Sequence, residues 1–168
     1  QRITGYVEPQ YISDDMLRGM DEEITALDLY AKHHSKIDRV GFITNDKWGF
    51  TIGYSPDAVV GKSGLVECKS RRQKYQIQTI VDGVVPPEYM IQIQTGLLVS
   101  EREWLDFISY SGGLPMFAMR CYPMPEYQEA IVKAATAFEA RLAINLETYM
   151  KASQDYIPTE RKIIQEIY

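Results

Sequence analysis

The stretch GYSPDAVVGKSGLVECKSRRQK, residues 53–74, constrains the fold of this chain more than any other segment. It contains two strand-like runs, Ala58–Val60 and Leu65–Ser70, on either side of the turn-forming sequence GKSG. Strand-like residues around a glycine-containing turn are typical of a hairpin, so the segment predicts two neighbouring strands. The same segment concentrates acids and bases, which suits either an ordinary solvated surface or a metal site with its own phosphate-binding cations.

Three charged side chains of this hairpin indicate metal chemistry. Because successive strand residues point to opposite faces, Glu67 and Lys69 share one face and Cys68 points away. The turn brings Asp57 back alongside Glu67, although ten positions separate them. Two converging carboxylates repel each other unless a divalent cation lies between them, and hard oxygen ligands favour Mg²⁺, with Mn²⁺ able to substitute. Lys69 would then hold the attacking water and stabilise charge developing on a phosphate.

An inert explanation competes with the metal site, because acids and bases that alternate along a strand are most often a solvated face. The apolar pair Leu65-Val66 before Glu67 favours a strand that runs inward rather than along a polar rim. Further cations follow Lys69 in a chain that is otherwise acidic, and such a cluster is typical of contacts to a DNA backbone. These cations are Arg71, Arg72 and Lys74. Clusters of this size also occur on inert surfaces.

The order of elements predicts an α/β protein built around a mixed central sheet that is flanked by helices. The predicted order is α-β-β-β-α-β-β-α, in which the third β unit is the hairpin. The elements outside the hairpin are a helix from Ser13 or Asp14 to about His33, strands over Arg39–Thr44 and Phe50–Tyr54, a helix from Pro87 to about Val99, strands over Trp104–Tyr110 and Met116–Tyr122, a long helix from Glu126 to about Lys151, and a short helical tail after Pro158.

The first helix carries an acid beside its predicted apolar stripe. That stripe consists of Met16, Met20, Ile24, Leu27 and Ala31. At 100° per residue Glu23 lies at the edge of the stripe, whereas Glu22 points well away from it. An acid at a buried edge needs a partner, so a salt bridge at the rim explains Glu23 as well as a role near metal ions does.

Composition limits the classes of protein. With 168 residues the chain is expected to form a single domain, residues 1–168, with a core over about 14–122 and a C-terminal helical part over about 125–168. Cys68 and Cys121 cannot supply a disulfide framework or an iron–sulfur cluster, which fits a reducing cytosol. No apolar run is long enough to span a membrane, and the start at Gln1 shows no signal-peptide pattern. The net charge of −5 argues against coating nucleic acid with the whole surface but permits a local basic groove.

Four motifs resemble those of one nuclease family, and they follow one another along the chain in the order that the family shows. SPDAVVGKSGLVECK is similar to the core of the PD-(D/E)xK superfamily, with Pro56-Asp57 and Glu67-Cys68-Lys69 in its two slots. More specifically, the pattern resembles phage lambda-type exonucleases, the YqaJ-like viral recombinases. The sequence YMIQIQ over 89–94 matches their Tyr-x-x-Gln-x-Gln helix, and WLDFISY looks like their aromatic-rich strand. Gly19 and Glu23 match an upstream Gly-x-x-x-Glu, and the resemblance covers about Met16 to Tyr122.

The resemblance implies a role for each matching residue. Asp57, Glu67 and the backbone carbonyl of Cys68 would bind the metal, Lys69 would be the catalytic base or a water-orienting cation, and Glu23 would be an accessory acid. Ser55 and Gln92, with Tyr89 nearby, would line a pocket for a terminal 5′-phosphate. Family members usually add a basic residue to this pocket from upstream elements, and in this sequence only Arg2 is available, without an assigned role.

The function implied is a Mg²⁺-dependent 5′→3′ exonuclease that degrades linear double-stranded DNA during phage-type homologous recombination. The implied partners are double-stranded DNA ends, a single-strand annealing protein, and further copies of the chain in a trimer, in the cytoplasm of a bacterial host and without a membrane. Two alternatives stay open: a PD-(D/E)xK endonuclease of restriction or repair, and a non-catalytic DNA-binding module. A covalently closed circular duplex separates the first two, because only an endonuclease would cut it.

Overall fold

The computed structural model describes residues 1–9 and 11–161 of the chain. Its elements are α1 (Asp14–His33), β1 (Ile43–Asn45), β2 (Ile52–Tyr54), β3 (Ala58–Val60), β4 (Gly64–Ser70), α2 (Gln73–Asp82), a 3₁₀ turn (Pro87–Tyr89) that leads into α3 (Met90–Ser100), β5 (Trp104–Tyr110), β6 (Phe117–Cys121) and α4 (Pro125–Ala152). Within the described ranges, no helix is long and apolar enough to cross a membrane. Most of the helical tail predicted after Pro158 falls on residues 162–168, outside the described residues.

The central sheet is mixed, which confirms the predicted fold class. Its strand order is β3-β4-β5-β6, and β1 pairs with β2 in a separate antiparallel ribbon. Strand β4 runs parallel to β5, whereas the pairs β3–β4 and β5–β6 are antiparallel. The predicted hairpin is thus present, with β3 at the edge of the sheet and β4 between β3 and β5. The strand predicted over Arg39–Thr44 is wrong in its bounds, since only Ile43–Asn45 forms β1.

Helices cover both faces of this sheet. Alternation along β4 sends Leu65 and Glu67 to the face covered by α3, and sends Val66 and Cys68 to the face covered by α1. The α3 side buries Tyr54, Leu65, Ile93, Leu97 and Phe107, and the α1 side buries Ala26, Leu27, Tyr30, Val66 and Ile108. Glu67 therefore lies under α3.

The buried stripe of α1 differs from the predicted one. Ala26, Leu27 and Tyr30 are fully buried, whereas Met16 and Ile24 are about half exposed. Of the predicted stripe only Leu27 is buried. The face of the helix that packs on the sheet carries acids in its first half, so apolar periodicity does not mark it. The Ser70 hydroxyl and the Gly112 backbone N–H both donate hydrogen bonds to Glu22, so the expectation that Glu22 points away was wrong.

Helix α2 was not predicted, because its buried face is polar. Its fully buried residue Gln76 donates from its amide to the carbonyl oxygens of Ser109 (3.0 Å) and Pro115 (2.7 Å). The Ser109 hydroxyl donates back to Gln76 Oε1. The apolar residue Ile77 is half exposed, so no apolar period marks the helix. The one local signal is Gly83, whose positive φ of 65° ends the helix as glycines commonly do.

Candidate active site

Asp57 reaches strand β4 because the β3–β4 ladder ends at the neighbouring residue Ala58. The last pair is Ala58 with Val66, and two positions further in this register Pro56 would lie opposite Cys68. Proline has no N–H to donate, so it cannot satisfy the Cys68 carbonyl. Instead, Asp57 Oδ2 accepts a hydrogen bond from the Cys68 backbone N–H at 2.6 Å. A strand residue directs its N–H and C=O to the same neighbour, so the Cys68 carbonyl is directed toward the Asp57 side.

Glu67 is a buried carboxylate with a donor on each oxygen. Only 1% of the residue is exposed. Its Oε1 accepts from Gln92 Nε2 at 2.5 Å and lies 2.7 Å from Lys69 Nζ. Its Oε2 accepts from the hydroxyl of Tyr54, which is itself buried. Because burial of an unpaired carboxylate is strongly unfavourable, these three donors are what allow the charge to stay under α3.

The site has more negative charge than positive charge. Burial, together with the negative charges of Glu67 and Glu23, raises the pKa of Asp57 to about 7 against the opposing Cys68 N–H hydrogen bond. Burial by itself disfavours the ammonium of Lys69, but Glu67 and Asp57 outweigh it and raise the pKa of Lys69. The three carboxylates therefore face one lysine, and a further cation would relieve their repulsion.

These donors fit a hard divalent cation. Among residues 1–9 and 11–161, no group of three or more His, Cys, Asp or Glu side chains has a metal-binding arrangement. Mg²⁺ does not need such a cage, because it is usually held by one or two carboxylates together with waters and substrate phosphates. Asp57, Glu67 and the Cys68 carbonyl supply that set. The Cys68 thiol does not join it, since it points to the α1 face, and burial raises the pKa of this thiol.

Two neighbouring acids of α1, Glu22 and Glu23, are placed differently relative to the site. Glu23 is partly buried, and its charge contributes to the raised pKa of Asp57. No side-chain hydrogen bond or salt bridge of Glu23 occurs within the described part of the chain. Glu22 instead binds at the end of β4, where Ser70 donates to it and Arg18 Nε lies 3.7 Å from its Oε2. Glu23 is thus the α1 acid directed toward Asp57.

The three residues expected to bind a 5′-phosphate have different partners in the structure. Gln92 holds Glu67, and Tyr89 accepts a 2.6 Å hydrogen bond from Arg71 Nη1. The Tyr89 ring also lies 5.7 Å from Lys69 Nζ. Ser55 is exposed two residues before Asp57, and its hydroxyl makes no hydrogen bond within residues 1–9 and 11–161. Gln92 is therefore joined to Glu67, whereas the Ser55 hydroxyl is exposed to solvent.

The basic residues after Lys69 lie in three different environments. Arg71 is only 8% exposed, and its Nη1 lies 3.1 Å from Glu88 Oε1. Arg72 is exposed and paired with Asp15 at 2.5 Å. Lys74 is also exposed, with its ammonium 4.7 Å from the Tyr75 ring centre. The cations predicted as one DNA-backbone patch are thus one buried and two surface residues.

Two functional neighbours were missed in the sequence. Tyr54 donates to Glu67, and its ring packs so closely on Gly96 of α3 that a Cβ there would lie 2.6 Å from the ring. Both residues stand in apolar surroundings that are typical of ordinary core. No local pattern distinguishes a tyrosine that binds a carboxylate from one that only packs.

Comparisons with known proteins identify a family and similar solved structures. The family model of the YqaJ-like viral recombinase domain matches residues 1–103. The structure is similar to the crystal structure of an alkaline exonuclease (LHK-Exo) from Laribacter hongkongensis, with 31% sequence identity and a TM-score of 0.80 over 94% of this chain and 81% of that chain. A crystal structure of LHK-Exo with dAMP matches with 32% identity and a TM-score of 0.79 over 91% and 80% of the two chains.

A more distant structure, SSO0001, shares the fold at 12% identity and a TM-score of 0.54, over 88% of this chain and 64% of that chain. A search of curated protein sequences found no match. The family model and the similar exonuclease structures lead to one conclusion. The chain belongs to the YqaJ-like viral recombinase family.

Proposed function

We propose that this protein is a metal-dependent 5′→3′ exonuclease that degrades linear double-stranded DNA for phage-type recombination. The observation that carries the proposal is the buried Glu67 carboxylate, held by three donors beside Asp57 and Lys69. Membership of the YqaJ-like family supports it, and so does the similarity to structures described as alkaline exonucleases. A buried acid pair with one lysine, next to an exposed serine, suits phosphodiester hydrolysis better than a purely structural ion pair.

In the proposed reaction, water attacks the phosphorus and the bond from phosphorus to the 3′-oxygen breaks, which releases a nucleotide with a 5′-phosphate. When bound by Asp57, Glu67 and the Cys68 carbonyl, Mg²⁺ supplies Lewis-acid stabilisation of phosphate charge. Lys69 has a raised pKa and stays protonated at neutral pH, so it acts as a cation rather than as a base. Its ammonium orients the water and stabilises the negative charge of the transition state.

We also propose that Ser55 donates to a terminal 5′-phosphate. Its exposed hydroxyl is two residues from Asp57 and has no competing hydrogen bond within the described residues. Gln92 contributes by holding Glu67, and its remaining amide N–H can reach a phosphate oxygen. A 5′-phosphorylated linear duplex is then degraded faster than its 5′-hydroxyl counterpart, and Ser55→Ala narrows the difference. Equal rates for both ends with the unmodified protein would remove this pocket from the proposal.

The test of the activity compares three DNA substrates in Mg²⁺ and in EDTA. A linear duplex labelled at its 5′ ends, the same duplex labelled at its 3′ ends, and a covalently closed circle are incubated with the protein and with Asp57→Asn. We expect early release of the 5′ label, an intact circle, and no hydrolysis in EDTA or by the variant. Cutting of the circle would favour the endonuclease, and absence of any hydrolysis would favour a non-catalytic DNA-binding module.

Assembly with further chains belongs to the proposal as well. The exposed face of α1 carries apolar side chains, and this supports association with another copy into the trimer that the family resemblance implies. These residues are Met16, Leu17, Met20 and Ile24. Light scattering of the purified protein tests the oligomeric state, and Met20→Glu should reduce the molar mass. Co-purification with a single-strand annealing protein from the same genome tests the other proposed partner.

A further inference from the structure

A cavity of about 400 Å³ lies beside the end of β4, outside the metal-binding residues. Ser70 and Arg71, the residues that follow the catalytic lysine, form one wall, and Arg18 and Arg72 stand on another side. Tyr75 and Tyr89 complete the lining, together with two acids. Tyr89 also faces Lys69, so this cavity and the candidate active site share a side chain.

The guanidinium of Arg71 is only partly satisfied. Its Nη1 donates to the Tyr89 hydroxyl at 2.6 Å and to Glu88 Oε1 at 3.1 Å. Its buried Nε has no hydrogen-bond partner among the residues that the structure describes. Rings of Tyr75 and Tyr89 lie 5.3 and 5.1 Å from the guanidinium carbon and hold it in place. An arginine that is nine-tenths buried and has an unused N–H is a costly arrangement unless an acceptor arrives.

The acids of the cavity occupy the positions that a phosphate oxygen would take. Glu88 contacts Arg71, and its side chain is 57% exposed. Asp15 contacts Arg72 at 2.5 Å and Arg18 at 3.2 Å, and its side chain is 47% exposed. Solvent screens both carboxylates because their side chains are exposed, so an incoming anion can displace them. Arg71 is buried and keeps its position when a carboxylate leaves. Arg18 and Arg72 also line the cavity.

We propose that this cavity binds an internal phosphodiester of the DNA strand that is being degraded, with Arg71 as its main donor and Glu88 as the carboxylate that it displaces. This inference rests on the proposed nuclease function. Arginine is the residue best suited to a phosphate, because its planar fork can donate to two oxygens at once. The bound phosphate gives the unpaired N–H groups of Arg71 an acceptor.

The position of the cavity fits an internal phosphate of the same strand. Arg71 follows Lys69 by two residues, which is about 7 Å along an extended chain. A duplex strand places one phosphate every ~3.4 Å of helix axis, so a phosphate one to two nucleotides from the reacting bond reaches this distance. The cavity would therefore fix the register of the strand while Lys69 and the carboxylates act on the terminal bond.

A matched pair of variants tests the displaced carboxylate. Glu88→Gln removes an exposed acid that pairs with Arg71, and Glu101→Gln removes an exposed acid that pairs with Lys47 at the far end of α3. Binding to a linear duplex is measured with Ca²⁺ in place of Mg²⁺ to suppress hydrolysis. We expect Glu88→Gln to tighten the Kd about two- to fivefold, since that is the range of an exposed ion pair, and Glu101→Gln to leave it unchanged.

A scan of the DNA identifies the phosphate. Single methylphosphonate linkages, which remove one phosphate charge each, are placed in turn along the strand near its 5′ end. One internal linkage should weaken binding about tenfold in the unmodified protein and should also remove the gain of Glu88→Gln. In Arg71→Lys, which keeps the charge but lacks Nε, the same linkage should have less effect. Thermal unfolding of each variant establishes that it is folded.

The outcomes separate this inference from the proposed function. The phosphodiester site is overturned if Glu88→Gln and Glu101→Gln tighten DNA binding equally, or if no internal methylphosphonate removes the affinity gained by Glu88→Gln. The proposed nuclease activity stands in either case. The site is also overturned if the affinity gained by Glu88→Gln disappears only when the terminal 5′-phosphate is removed, since the cavity would then bind the end of the strand. A protein that neither binds nor hydrolyses DNA overturns both. If Arg71→Lys fails to fold, the comparison of Glu88→Gln with Glu101→Gln decides.

Discussion

The hydroxyl of Tyr54 donates a hydrogen bond to Oε2 of Glu67, and both residues are almost fully buried. Tyr54 ends β2, a strand of the small separate ribbon, whereas Glu67 lies in the central sheet. The two are brought together because the ring of Tyr54 packs on Gly96 of α3. A proposed metal ligand is thus oriented by a residue from outside its own sheet.

Replacing Tyr54 by Phe should weaken the metal site while the fold is kept. The variant leaves Oε2 of Glu67 without its donor, and loss of such an orienting partner typically costs about 10- to 100-fold in metal affinity or activity. Tyr30→Phe is the matched control, because Tyr30 donates a buried hydrogen bond to Asp106. Mn²⁺ calorimetry and turnover should change only in Tyr54→Phe. Equal changes in both variants would assign Tyr54 a merely structural role.

Replacing Gly96 by Ala should disturb the same contact through packing. The added Cβ would lie 2.6 Å from the Tyr54 ring, so the ring or the helix must move, and overpacking of this kind costs about 1–3 kcal/mol. Gly19→Ala in α1 is the control, since a Cβ added there would meet no neighbouring atom within 4 Å and alanine favours a helix by about 0.5–1 kcal/mol. Urea unfolding should show a lower free energy of unfolding for Gly96→Ala and a higher one for Gly19→Ala. A stability gain for Gly96→Ala would contradict the close contact.

Replacing Lys69 by Ala should reduce turnover by about 10²–10³-fold while DNA still binds. The ammonium lies 2.7 Å from Glu67 Oε1, and it is the cation nearest to the reacting phosphate in the proposed reaction. Lys47→Ala removes a lysine of an exposed ion pair at the far end of α3 and should have no effect on turnover. Single-turnover rates with saturating protein measure the chemical step. Near-normal turnover of Lys69→Ala would return this lysine to the solvated-face interpretation.

Strand β4 and its charged residues could be predicted from the sequence because the pattern that marks them is local. A glycine-containing turn and the two-residue period of a strand were enough to bring Asp57, Glu67 and Lys69 together. Helix α2 and the buried face of α1 could not be predicted, because Gln76 and Glu22 bury polar groups whose partners are distant in sequence. The contact of Tyr54 with Glu67 also depends on tertiary packing. Periodicity detects apolar faces, and near this site the buried faces are partly polar.

Asp57 should make the metal-free protein less stable as the pH rises. Its pKa is raised by burial and by neighbouring carboxylates from 3.8 to about 7, so the folded state holds this proton more tightly than the unfolded chain does. Between these two values the folded state binds more protons, and the free energy of unfolding falls with rising pH. The full penalty is present above pH 7, where Asp57 is ionised in both the folded and the unfolded state.

Asp57→Asn removes that charge and keeps an oxygen that can accept from the Cys68 N–H. In EDTA at pH 8 we therefore expect the variant to be more stable than the unmodified protein, with the difference shrinking toward pH 4. Mg²⁺ at pH 8 should stabilise only the unmodified protein, because a cation bound to the folded state relieves the repulsion. Urea unfolding at several pH values measures these differences, with Asp28→Asn as an exposed control. The contrary outcome is a variant that is less stable than the unmodified protein at pH 8 in EDTA. It would show that the protein alone compensates the charge of Asp57. Electrostatic repulsion would then no longer support a cation at this site.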